Sequence, residues 1–203
     1  MVFHYRLDTT DWGIIQEACG GLNTKFFDVE PGELWIDIGA HIGSFTCYAA
    51  SKGATVFAFE PVPDNYRLLV ENVDLNDLTQ KVRTYKEAVG DEERVITIFI
   101  DRQNFGNCSM YHRCGNSFVD YIYAPVFPAK RFNAYDEFCI KIDTEGCEYE
   151  ILSAIDLSKV QKLIMEDHYW LIGEEEQAAL ALLVEENFPN IERHSDYMVY
   201  AWR

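Results

Sequence analysis

Positive charge is scarce in this 203-residue chain: 17 Lys and Arg stand against 34 Asp and Glu, a formal charge of −17. Phosphate backbones are gripped by basic surfaces, so the composition argues against nucleic acid as a partner. It argues equally against an anionic membrane surface. No run approaches 18 apolar residues, so no membrane span is expected. Residues 1–11 lack a basic head followed by an apolar stretch, so no secretory leader is expected. The six cysteines (Cys19, Cys47, Cys108, Cys114, Cys139 and Cys147) include no C-x-x-C pair. A chain this long needs no disulfide staples, and reduced thiols in a cytoplasm are the expectation. Cys108, His112 and Cys114 form one local grouping of ligand types. Their spacing is unusual for a metal and no fourth ligand follows, so they are read as loop thiols with no metal. Internal repeats, low-complexity tracts and Pro- or Ser-rich linkers are also missing, which points to a single domain over 1–203.

What is present suits a folded α/β domain: 48% of the residues are apolar and 14% aromatic. Strands and helices alternate from about residue 33. Before that, residues 1–32 read as a lead-in, with a short helix from Trp12 to Cys19 ended by Gly20-Gly21. ELWIDIGA (33–40) is a near-continuous apolar run, as a central parallel strand requires. A glycine turn and a helix follow, stopped by Gly53. ATVFAFE (54–60) reads as a second buried strand, and Pro63 opens a helix whose apolar stripe is expected at Tyr66, Leu69, Val70 and Val73. KVRTYKEAV (81–89) and RVITIFI (94–100) are expected to form a hairpin across Gly90 to Glu93. Residues 101–125 show no period and read as a long loop on the substrate side. A strand is expected near 126–131. CIKID (139–143) and KLIMEDH (162–168) are two more, the first followed by a helix through Ile155. In EEEQAALALLVEENF (174–188) the buried face of a helix is expected at Ala178, Leu182 and Leu183. One or two terminal strands follow within 191–202.

Four groups of residues carry chemistry. Asp37 to Gly43 (DIGAHIG) lies at a strand-to-helix junction, where glycines let the backbone approach a ligand and a helix offers free N–H groups. The three-glycine fingerprint of nicotinamide dinucleotides is incomplete, and Asp37 would repel a pyrophosphate. A carboxylate there suits a cationic, phosphate-free ligand carrying an amine, such as S-adenosylmethionine. Glu60, ending the next strand, is placed to accept hydrogen bonds from ribose hydroxyls. In KIDTEGCE (141–148), Asp143, Glu145 and Glu148 cluster where ligands bind in open α/β sheets. Acids decorating a helix start explain the same pattern, and residue chemistry alone does not choose. Glu166-Asp167-His168 ends the following strand and faces the same crevice.

These residues resemble the FkbM family of S-adenosylmethionine-dependent methyltransferases. RLDTTD (6–11) resembles the family's polar lead-in, WIDIGAHIGSFT (35–46) its first cofactor motif and FEPVPDNY (59–66) its second. KIDTEGCEYEIL (141–152) is the most specific string; FGNCSM (105–110) and LIMEDH (163–168) are weaker ones. The resemblance implies a doubly wound Rossmann-like sheet of the class I methyltransferase type, mainly parallel with a reversed last strand. It implies that Asp37, Gly39 and Gly43 frame the methionine part of the cofactor and Glu60 its ribose, with Ala40, His41 and Pro61 in the same motifs. It places Glu87 and Ala88 near adenine, and Asp143 near the methyl group.

The expected reaction is O-methylation of a small-molecule or carbohydrate-like hydroxyl. A hydroxyl attacks well only once its proton is removed, so a base is needed. Asp143 or Glu145 is the first candidate and His168 the second. Catechol-type enzymes hold magnesium at these strand ends, which Asp143 and Glu166 would serve, but the resemblance does not call for a metal. Three other readings stay open: a catalytically silent cofactor-binding or interaction protein, a nicotinamide-dependent oxidoreductase, and a nucleic-acid methyltransferase, the last disfavoured by the charge.

Overall fold

The computed structural model describes residues 1–19, 28–100, 108–110, 120–194 and 197–203. Helix α1 (Asp11–Cys19) precedes strand β1 (Leu34–Ile38), helix α2 (Ser44–Ser51), strand β2 (Thr55–Phe59), helix α3 (Pro63–Leu75) and strand β3 (Val82–Tyr85). Two short strands follow, β4 (Ala88–Gly90) and β5 (Val95–Ile100), then a long one, β6 (Asp120–Pro128). After a 3-10 turn at Ala129–Ala134 come β7 (Phe138–Ile142), α4 (Glu148–Ser153), β8 (Val160–Glu166), α5 (Glu174–Asn187), β9 (Asn190–Arg193) and β10 (Met198–Trp202).

The main sheet has seven strands in the order β3-β2-β1-β7-β8-β10-β9. The pairs from β3 through β8 are parallel, whereas β10 runs antiparallel to both β8 and β9. The last strand is therefore the reversed one, and it lies inside the sheet. Strand order switches direction between β1 and β7, and ligands bind beyond the carboxyl ends of strands at such a point. Parallel strands covered on both faces must be apolar throughout, and Trp35, Ile36, Ile38, Ile140 and Ile142 are fully buried. Two cores result. One face packs α2 and α3 through Phe45, Ala49, Leu69 and Val73. The other packs α4 and α5 through Ile151, Leu152, Leu180 and Val184.

Several expectations are corrected. The 81–89 and 94–100 segments do not pair as a hairpin. β3 ends in the main sheet, and β4 and β5 instead flank β6 in a separate three-stranded sheet of order β4-β6-β5. β5 and β6 are antiparallel and six residues in register, so the longer ladder outcompetes the short turn. Residues 120–125 therefore belong to a strand rather than to a loop, and the strand expected near 126–131 begins at Asp120 and ends at Pro128. Most of the rest of the 101–125 segment, with His112 and Cys114, lies outside the described residues. The helix expected through Ile155 is a single span, Glu148–Ser153.

Two helical faces are rotated from the expected ones. In α3, Val70 is 40% exposed, while Asn65 and Asn72 are buried. Those asparagines hold other chain segments: Asn72 bonds both the N–H and the C=O of His4 and the carbonyl of Ile42. Asn76 brackets Val2 in the same way. The N-terminal segment is thereby pinned along α3 before it enters α1. In α5, Leu182 is 55% exposed and Ala178 is exposed too; Leu180 and Val184 carry the packing. An Ala- and Leu-rich helix offers more than one apolar stripe, and the neighbouring α4 selects among them.

Candidate active site

A cleft of about 1250 Å³, open solvent included, lies beyond the carboxyl ends of β1, β2, β7 and β8. Its first wall is the turn after β1. Gly39 has φ +78°, and a Cβ built there would sit 1.8 Å from the carbonyl oxygen of Asp143, so only glycine fits between the two strand ends. Gly43 has φ +86° and is packed against Leu69. His41 also lies in the left-handed region, at φ 52°. The N–H groups of Gly39 and Ala40 both bond the carbonyl of Phe59, tying this turn to β2.

Asp37 is fully buried behind the turn. Its Oδ2 accepts from the Thr46 hydroxyl at 2.5 Å. Its Oδ1 has no hydrogen-bond partner among the described residues and lies 3.6 Å from Lys141 Nζ. Burial raises its pKa, with Lys141 and Thr46 working against that. Lys141 also donates to the Gly39 carbonyl at 2.9 Å and to Asp143 Oδ2 at 3.4 Å, so one ammonium links the ends of β1 and β7. At the end of β2, Glu60 accepts from the N–H groups of His41 (2.9 Å) and Val62 (2.8 Å). Burial nevertheless pushes its pKa up to about 7.

The other wall is a charged cluster around His168, which is 1% exposed. Its Nδ1 lies 2.9 Å from Glu148 Oε1. Its Nε2 lies 3.4 Å from Glu145, 3.7 Å from Glu166 and 3.9 Å from Asp143. Burial alone would depress this histidine, but the hydrogen bonds to Glu145 and Glu148 outweigh it and lift its pKa to about 11. His168 is therefore an imidazolium, with no lone pair to take a proton. Glu148, fully buried, also accepts from the Thr144 and Gly146 N–H groups and so shapes the turn after β7. Glu145 sits at φ 56° in that turn, and its carbonyl accepts from the Ser109 hydroxyl. For Asp143, burial pushes upward, yet Lys141 and His168 together hold it below its usual range. Glu166 differs from these: it lines the cleft, is 31% exposed at its side chain, and is pushed up to about 7 by burial and by Asp143. Asp143, Glu145 and His168 offer ligand atoms within 4.8 Å of one another, so a cation could displace the proton here.

The structure brings Gly39, Ala40, His41, Glu60, Pro61, Glu87, Ala88, Asp143 and Glu145 to one cleft, whereas Asp37 is buried behind the turn and does not line it, and Gly43 packs against Leu69. His168 lies behind the carboxylates rather than on the surface of the cleft. Sequence reading missed Glu17 and Ser44, which line the same space. Ser44 is part of the GSFT string and was within reach; nothing local marks Glu17, which arrives because the pinned N-terminus lays α1 along the cleft. The apolar end is formed by Val89, Ile96, Ile98, Cys108 and Met110, beside Glu87 and Ala88.

A parallel sheet whose strand order switches direction between β1 and β7, with the antiparallel β10 inside it, is the Rossmann-like fold of class I methyltransferases. The described residues fit S-adenosylmethionine, the cofactor of that class: a cleft whose titratable lining is mostly acidic, for a ligand of net positive charge, a buried Asp37 oxygen behind it with no hydrogen-bond partner among them, Glu60 at the end of β2 and an apolar slot beyond. The family model of the methyltransferase FkbM domain matches residues 37–198, and the chain belongs to that family. Among solved structures, a precorrin 8w decarboxylase of Methanobacterium thermoautotrophicum is 14% identical, with a TM-score of 0.52 over 93% of this chain and 90% of that one. A putative rRNA methylase of Clostridium thermocellum gives 10%, 0.51, 88% and 89%; both show the fold. Among curated proteins, a hexuronic acid methyltransferase of Haloferax volcanii is 49% identical over 45 residues, 22% of this chain and 18% of its own length. A tRNA (guanine(37)-N(1))-methyltransferase of Anopheles darlingi is 42% identical over 57 residues, 28% of this chain and 11% of its own. The matches thus span under a fifth of those relatives. The chain thus carries a methyltransferase FkbM domain, for which S-adenosylmethionine is the cofactor.

Proposed function

We propose that the acceptor atom is a hydroxyl oxygen on a small, carbohydrate-like molecule, and that Glu166 is the base that takes its proton. The observation carrying this is the division of labour at the ends of β7 and β8. Asp143 is committed to Lys141, and Glu145 and Glu148 hold the charged His168, from which Glu166 stands farther, at 3.7 Å. Glu166 alone in this cluster is both cleft-facing and poised near neutrality. A base works best with a pKa near the working pH. This reading moves the role from Asp143 or Glu145, the first candidate, and His168, the second, to Glu166 on β8.

The bound donor supplies a methyl group already activated on a sulfonium. Glu60 and the glycine turn that Asp37 backs would hold the donor, Asp143 would offset its positive charge, and Glu166 would hold the acceptor hydroxyl and take its proton. Positioning of this kind can supply several kcal/mol of the barrier reduction, roughly 7–11 at best. Local likeness to the hexuronic acid methyltransferase supports a sugar-acid acceptor. Local likeness to the tRNA enzymes favours a nucleobase, against which stands the charge of −17. The test is transfer of a labelled methyl group from S-adenosylmethionine to hexuronic acids, neutral sugars, polyols and bulk tRNA, in parallel. Label on a sugar oxygen is expected. Label on tRNA, with none on any hydroxyl compound, overturns the reading.

A further inference from the structure

Three exposed aromatic rings gather just past the end of β8. Trp170 is 48% exposed, Tyr197 42% and Tyr169 39%. The Trp170 ring meets both tyrosines edge-on, with centroids 5.1 Å from Tyr169 and 6.4 Å from Tyr197. Two separate segments supply them. Tyr169 and Trp170 lie in the turn that leaves β8, and Tyr197 stands immediately before β10. Because β10 runs antiparallel to β8, its start lies at the carboxyl end of β8, where the Tyr197 carbonyl accepts from the Asp167 N–H at 2.6 Å. The rings therefore share the edge of the sheet at which ligands bind in open α/β folds.

One side chain joins these rings to the cleft. Trp170 packs edge-on against the imidazole of His168, with centroids 5.2 Å apart. On its Nε2 side the same imidazole meets Glu145, Glu166 and Asp143, all of which line the cleft. Met198, next in the chain after Tyr197, lines it too. The rings thus lie a side chain's breadth from Glu166 and outside the space of the reacting atoms. The cleft must already take the donor, so an acceptor longer than one ring runs out over this edge. Single exposed apolar residues are ordinary, but three in mutual contact from two segments make a patch that a ligand can cover. That ligand has to tolerate the neighbouring acids. A phosphodiester chain does not, in a chain of charge −17. A sugar ring does: its C–H face suits the negative face of an aromatic ring, and its hydroxyls donate to carboxylates.

We propose that Tyr169, Trp170 and Tyr197 form a stacking bed for the sugar unit next to the one that is methylated, so that the acceptor is a unit of an oligosaccharide or glycoside rather than a free monosaccharide. The proposal rests on a carbohydrate hydroxyl as acceptor. Turnover is compared for the monosaccharide that the acceptor panel labels and for the same unit β-linked to glucose. In the wild type the disaccharide should have the lower KM at similar kcat. Trp170→Ala should cut its advantage in kcat/KM roughly tenfold, through KM, the factor to which about 50 Å² of apolar surface returned to water corresponds. Trp170→Phe, which keeps an aromatic face, should retain most of the advantage. Should Trp170→Ala lower the melting temperature through His168, Tyr197→Ala carries the same test. A wild type with no preference for the disaccharide, or a preference that Trp170→Ala and Tyr197→Ala leave intact, overturns the bed. Label on neither sugar overturns the hydroxyl reading itself. If Trp170→Ala instead weakens binding of a short single-stranded RNA, the rings serve nucleobases and the sugar bed is overturned as well.

Discussion

Replacing Gly39 with alanine tests a close approach between the backbones of two strand ends. The added methyl carbon would lie 1.8 Å from the Asp143 carbonyl oxygen, so the end of β7 must retreat by about 1.2 Å merely to reach the 3.0 Å limit. The obstacle is backbone, and that backbone is held by Asp143 N–H donating to Ile38. Left-handed strain costs about 1–2 kcal/mol for a residue with a Cβ. Overpacking adds about 1–3 kcal/mol. A domain of this size loses about 2–4 °C of melting temperature per kcal/mol, so a fall of roughly 4–20 °C is expected. The same shift moves Asp143 and Lys141 relative to Asp37, so affinity for S-adenosylhomocysteine should drop together with stability. Gly13→Ala is the internal control: a methyl there meets nothing within 4 Å, and α1 should gain up to about 1 kcal/mol. Thermal melts and calorimetry on both variants read the outcome. A Gly39→Ala protein that melts within about 2 °C of the parent and binds the ligand equally well would refute the account of this turn.

Glu166→Gln should retain binding of S-adenosylhomocysteine and lose most turnover, by about 10²–10⁴-fold for a general base; unchanged turnover on any accepted hydroxyl would move the base elsewhere. Between pH 7 and 9 the ligand-free protein should lose stability. His168, raised to about 11 from 6.5, keeps its proton when folded and sheds it when unfolded, so its contribution is complete below 6.5 and fades as pH climbs towards 11. The loss is on the order of 2 kcal/mol over that window, read as a falling melting temperature, and it should flatten in His168→Gln; a melting temperature that rises with pH contradicts the charged cluster. Burial raises the thiols of Cys47 and Cys139 to about 12, and that of Cys147 higher still. Iodoacetamide on the native protein should therefore spare all three, and rapid alkylation of any of them would contradict its placement.

The sheet was readable in the sequence because buried parallel strands carry their own signature: Leu34–Ile38, Thr55–Phe59 and Phe138–Ile142 are apolar runs closed by glycines or acids. Helix existence was readable for the same reason, helix orientation less so. Asn65 and Asn72 look like surface residues until one sees the carboxylate and carbonyls they serve, and Leu182 looks like core until α4 chooses Leu180. Strand pairing beyond residue 86 was not readable, since β4 pairs with residues 126–128 and β5 with residues 120–125, well beyond the local turn. In the site, residue types and strand-end positions marked Asp37, Glu60 and Asp143. Protonation did not follow from type: three carboxylates within 4 Å of its Nε2 and a fourth at Nδ1 turn His168 from a candidate base into a fixed cation. That depends on the fold bringing the ends of β7 and β8 side by side.

The interior placement of the reversed strand has a consequence for how the sheet is completed. β9 is joined to the other strands only through β10, which must slot between it and β8. Synthesis delivers β10 after β1 to β9, so a nascent chain holds β8 with an open flank until residues 198–202 emerge. Clipping the chain just before Met198 would thus strip two strands from the sheet, and would leave Ile164 and Leu163 without the neighbours that register against them.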